Sequence, residues 1–114
     1  MTEDAIALRK DASAALGGLL NTIEANHLDE KELVARVVAL QQLLDQGTPV
    51  TTALSSESLA DTLPLLSRIL RRSMSASATA RRALVLAMRA EGVSIPAIAR
   101  ALGVSHQRIS NILR

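Results

Sequence analysis

At 114 residues the chain has room for one compact domain or two small units, and with no Phe, Tyr or Trp its core must be Leu, Val, Ile, Ala and Met, which favours an all-α fold. The absence of cysteine excludes disulfides, thiolate catalysis and cysteine metal sites, and His27 and His106 lie too far apart in sequence to suggest a metal cluster. The net charge of +2 conceals two opposed halves: residues 1–61 hold four basic and ten acidic side chains, a balance of −6, while residues 62–114 hold nine arginines and one acid, a balance of +8. Such asymmetry points to a polyanion-binding half joined to a half with another task, although a solvated surface can also segregate charge by chance.

The opening MTEDAIALRKD is acidic where a signal peptide would be basic. Strictly apolar runs such as ALVLAM reach only about six residues, far below the roughly 18 that span a bilayer. The expectation is a cytoplasmic, nucleoid-associated protein with no membrane segment, no cofactor and no metal.

In chain order, Thr2 can cap a first helix whose acidic first turn, Glu3-Asp4, suits the positive end of the helix dipole. Gly17-Gly18 can kink it or admit a close neighbour, and it is expected to end near Asn26. Asp29 and Glu32 have capping-box spacing, with Leu28 and Leu33 at the staple positions, so a second helix is expected to start there. The acidic cluster Asp29, Glu30 and Glu32 is read as that helix start rather than a catalytic or metal site. Leu33, Val37, Leu40 and Leu44 follow at 4-3-4 spacing, a short coiled-coil-like seam. Gly47 and Pro49 close the helix. Residues 1–47 thus read as an antiparallel helical hairpin. Leu33, Val37, Leu40 and Leu44 are its candidate dimerisation residues, unless they pack only within the chain.

Residues 48–74 read as a connector and linking helix. GTPVTTALSSES (47–58) is rich in turn residues. Pro64 predicts a break near Asp61–Leu63 and a helix from there through about Arg72. SMSASATA (73–80) can be a hinge, a cap or unbroken helix. ARRALVLAMRAEG then gives an apolar stripe beside Arg81, Arg82 and Arg89, stopped at Gly92.

Residues 75–114 hold the most informative pattern. Ser94 can cap a helix Ile95–Leu102 with Pro96 in its first turn. Gly103 can turn the chain, and Ser105 can cap a helix from His106 to about Leu113. Ala99 precedes Gly103 by four residues and Ile109 follows it by six. EGVSIPAIARALGVSHQRIS resembles the helix-turn-helix of bacterial DNA-binding proteins, in particular the tri-helical units of resolvases, sigma-factor region 4 and many small regulators. Ala99 matches the small residue at the helix crossing, Gly103 the turn, Val104 the apolar residue after it, and Ile109 the inward aliphatic. With ARRALVLAMRAEG as the supporting first helix, the resemblance covers about 35 residues; the first 70 resemble nothing identified.

With Val104, Ile109 and Ile112 inward, the last helix would present His106, Gln107, Ser110 and Asn111 to base edges. Gln and Asn can each hold adenine at N6 and N7. Arg81, Arg82, Arg100, Ser105, Arg108 and Arg114 are the candidate phosphate contacts; Arg108 can alternatively reach guanine. The aromatic stacking common in single-strand and RNA modules has no residues here, which favours double-stranded DNA. A winged variant would need chain beyond Arg114. No nucleophile–base arrangement or phosphate-binding loop suggests an enzyme. The leading expectation is a dimeric bacterial or phage transcriptional regulator. The alternative is an adaptor in partition, packaging or polymerase recruitment, whose acidic N-terminal half binds another protein.

Overall fold

A computed structural model describes residues 2–114. It is all-α, with no strand among the described residues. The helices are α1 (Glu3–Asp45), α2 (Val50–Ser55), α3 (Thr62–Ala90), α4 (Ile95–Leu102) and α5 (His106–Leu113). The chain groups into two compact units. One joins the chain up to Leu20 with Ser75–Arg114; the other is Asn21–Met74. The units change over after Leu20 and again after Met74. The first does not fall at 47, because the opening turns of α1 belong with the C-terminal unit.

The expected hairpin within residues 1–47 is corrected: those residues form one helix from Glu3 to Asp45. Thr2 does cap it, its Oγ1 accepting from the Ala5 amide at 3.1 Å. Gly17-Gly18 does not interrupt it. Nor does Asp29, whose carboxylate pairs with the Arg72 guanidinium instead of capping a new start. Asn26, buried on the same helix, donates from Nδ2 to Ser73 Oγ at 2.8 Å and to the Ile69 carbonyl at 3.5 Å. No Gly or Pro lies between Glu24 and Leu33 to force a break. Long-range partners on α3 replace the local cap, and the helix continues.

A helical hairpin does exist in the Asn21–Met74 unit, but between α1 and α3. Asn26 meets Ser73, and Arg36 pairs with Asp61, so the two helices run antiparallel. The inward residues of α1 are Thr22, Asn26, Asp29, Leu33, Arg36, Leu40 and Leu43, a strict 4-3 repeat. Those of α3 are Thr62, Leu65, Ile69 and Arg72 in the same spacing, the pattern by which two helices interlock. Polar pairs inside such a seam add little net stability but define register.

α1 ends at Gly47, which has φ +89°. Thr48 donates to the Leu43 carbonyl and Gly47 to that of Leu44, both at 3.0 Å, closing the last turn. The expected connector contains the short helix α2, begun by Pro49, whose carbonyl accepts from Ala53 N at 3.0 Å. Ala53 and Leu59 are buried and hold this segment to its unit. α3 begins at Thr62 with Pro64 in its first turn, where no intrahelical N–H is lost. Of the three readings open for 73–80, unbroken helix is realised.

In the other unit, Ala5 and Ala12 of α1 and Ala80 and Ala87 of α3 are buried. Each pair is spaced seven apart, so small side chains line up along both helices. Arg9 Nη1 meets Glu91 Oε1 at 2.8 Å, which makes this pairing antiparallel too.

Candidate nucleic-acid interface

The C-terminal helices form where local chemistry placed them. Ser94 Oγ accepts from the Ala97 amide at 3.3 Å and Ser105 Oγ from the Arg108 amide at 3.1 Å. Each cap satisfies one of the orphan donors of a helix start and contributes about 1 kcal/mol. Between them Gly103 sits at φ 67°, ψ 33°, a conformation that strains residues carrying a Cβ. The Ala99 carbonyl accepts from Val104 N at 3.1 Å.

Val85 of α3, Ile98 and Ala99 of α4 and Ile109 of α5 make the core of this unit, with Met88, Ile95, Leu102 and Ile112 packed around it. Val85, Ile98 and Ile109 have no exposed surface. Burying each contributes roughly 1.5–3 kcal/mol. Three helices thus converge on one small aliphatic core, and Ala99 lets α4 and α5 approach closely.

This packing settles which side of α5 faces out. His106, Gln107, Arg108 and Asn111 are exposed, as are Ser105 and Arg114; Ser110 is half-buried. Gln107 Nε2 donates to Asn111 Oδ1 at 3.1 Å. The pair therefore leaves an amide carbonyl on Gln107 and an NH₂ on Asn111 open to solvent, one acceptor and one donor side by side. No acidic residue occurs on α4 or α5. Glu91, the single acid after residue 61, is paired with Arg9.

The candidate phosphate contacts divide. Arg100, Arg108 and Arg114 are exposed. Arg81 is half-buried, its Nη2 meeting Ser77 Oγ at 3.5 Å. Arg82 donates from Nη1 to the Ile112 carbonyl at 2.8 Å. It holds an otherwise unsatisfied carbonyl in the last turn of α5, where a cation also suits the helix dipole. Nothing in the spacing of Arg82 and Ile112, thirty residues apart, could have announced that bond.

The four candidate dimerisation residues also divide. Leu33 and Leu40 are half-buried in the α1–α3 seam, whereas Val37 and Leu44 are exposed. They do not form one stripe.

Residues 77–114 match the family model of the homeodomain-like domain. This C-terminal segment is a DNA-binding helix-turn-helix domain. The match takes in the second half of α3 with α4 and α5, the three helices that share the core. Neither the comparison with curated proteins nor that with solved structures found a significant match. Among the described residues no helix is long and apolar enough to cross a membrane, and no cluster of His, Cys, Asp and Glu has the make-up of a metal site.

Proposed function

We propose that the chain is a sequence-specific double-stranded-DNA-binding protein, a dimeric bacterial or phage transcriptional regulator that reads the major groove with α5. The observation that carries this reading is the exposed Gln107–Asn111 pair on a helix anchored from behind by Ile109. Its adjacent acceptor and donor match the N6 donor and N7 acceptor of adenine. His106 and Ser110 flank the pair as further base contacts. Ser105 and Arg108 at the start of α5, Arg114 at its end and Arg100 on α4 are assigned to phosphates, with Arg81 as an outer contact. Arg82 is assigned first to holding α5 in place. A single helix-turn-helix offers few base contacts, so two copies reading half-sites about 34 Å apart, or a multiple of that, supply the remaining affinity.

The test is selection of bound duplexes from a random library by the full-length protein, followed by titration of the winner against random DNA. A preference of at least about a thousandfold at physiological salt supports the reading. Equal affinity for both overturns it. The adaptor reading differs in one respect: the acidic part of α1 would bind another protein, and the chain would be monomeric with weak DNA binding alone.

A further inference from the structure

We infer that the opening turns of α1 belong to the DNA-binding surface, where Arg9 neutralises Glu91 so that the turn between α3 and α4 can approach a phosphate backbone. The inference rests on the DNA-binding reading above and extends the interface beyond residues 77–114. Glu91 is the single acid among residues 62–114, which carry nine arginines. It stands at the C-terminal end of α3, its amide donating to the Ala87 and Met88 carbonyls, both at 3.1 Å. The turn that follows is held by its own bonds. Gly92, at φ +86°, donates to the Arg89 carbonyl at 3.0 Å, and Val93 donates to that of Met88 at 3.0 Å. Arg89 Nη1 donates to the Val93 carbonyl at 3.1 Å. Ser94 then caps α4.

A carboxylate in this turn is unfavourable on two counts. The C-terminal end of α3 is the negative end of its helix dipole. The first helix of a helix-turn-helix crosses the DNA backbone, and in homeodomains the turn before it contacts that backbone. By that geometry the turn 91–94 and the start of α4 face phosphates, which an acid repels over about a Debye length, ~10 Å at 0.1 M salt. Arg9 lies outside the matched segment, 82 residues from Glu91, yet its Nη1 meets Glu91 Oε1 at 2.8 Å. Both residues belong to the same compact unit. No acid stands three or four residues from Arg9 on α1 to compete for it. The Arg9 side chain is 68% exposed and that of Glu91 32%, so the pair presents its cation outward and covers its anion. An exposed ion pair of this kind adds little to stability. Its effect is on charge: with Arg9 and Arg89 beside Glu91 the turn is net positive, and without Arg9 it is neutral.

Anisotropy titration of the full-length chain with a random duplex tests this. Arg9→Ala is expected to weaken binding about threefold to fivefold in low salt, and the loss should shrink as salt rises. Its thermal midpoint should stay within about 2 °C of the wild type. Adding Glu91→Gln to Arg9→Ala is expected to restore affinity to within about twofold of the wild type. That restoration separates neutralisation from other roles, because removing the Glu91 charge neither rebuilds the ion pair nor replaces a direct phosphate contact by Arg9. Wild-type affinity in Arg9→Ala overturns the inference, and so does a double variant as weak as Arg9→Ala. Arg108→Ala in the same titration reports on the DNA-binding reading itself. A loss there beside an unchanged Arg9→Ala confines the interface to residues 77–114 and leaves that reading standing. A wild type that binds no duplex overturns both.

Discussion

Arg82 on α3 donates to the carbonyl of Ile112 at 2.8 Å, tying the helix that supports the core to the last turn of α5. A guanidinium in this place orients α5 before any duplex arrives. Removing it is expected to loosen α5 without unfolding the unit.

Arg82→Ala is expected to cost about 1 kcal/mol of stability in urea unfolding and to speed hydrogen exchange in the last turn of α5. Affinity should fall on specific and random DNA, while the slope of log K against log salt stays as in the wild type. A slope shallower by about one would show that Arg82 contacts a phosphate directly.

Arg108→Ala and Arg100→Ala are expected to behave in the opposite way. Both side chains are exposed and remote from the core. Each should weaken all duplexes alike and flatten the salt slope by about one, with stability unchanged. Loss confined to the selected site in Arg108→Ala would assign that residue to guanine.

Gln107→Ala and Asn111→Ala are each expected to lose about 1–3 kcal/mol of discrimination at one base pair while retaining most affinity for random DNA. Because the two amides are bonded to each other, the double substitution should cost less than the sum of the singles. Titration of a panel of single-base variants of the selected site measures this.

Glycine positions allow a contrast within one unit. A Cβ added at Gly17 or Gly103 would meet no atom within 4 Å, so space is not the issue at either. Gly17 is mid-helix, and Gly17→Ala is expected to raise stability by roughly 0.5–1 kcal/mol. Gly103 has positive φ, and Gly103→Ala is expected to lower it by about 1–2 kcal/mol. Thermal unfolding of the two variants side by side checks both signs.

What could be read in the sequence was what depends on near neighbours. Ser94, Pro96, Gly103 and Ser105 act within four or five residues of themselves, and α4 and α5 stand where those residues placed them. Asp29 carries the same kind of local signal, yet its carboxylate went to Arg72, 43 residues away, and one long helix formed where two were expected. Leu33, Val37, Leu40 and Leu44 illustrate a second limit. Their 4-3-4 spacing is real, but a helix with two apolar flanks offers more than one way to draw a stripe. Only the position of α3 shows that Leu33 and Leu40 belong to its seam while Val37 and Leu44 stay exposed beside it. Arg82 was visible as a cation near the DNA-binding segment; its bond to Ile112 depends on a fold that brings the two together.

The opening turns of α1 belong to the same unit as α3's second half, α4 and α5, and this has a consequence during synthesis. The opening turns of α1, Ala5 and Ala12 among them, are made before Ala80, Ala87, α4 and α5 and must wait for them before they find their places. The intervening hairpin can mature earlier, since both of its helices are complete once Met74 has emerged. A chain stopped between Met74 and α4 would therefore hold the completed α1–α3 hairpin while Ala5 and Ala12 lack the helices of their own unit.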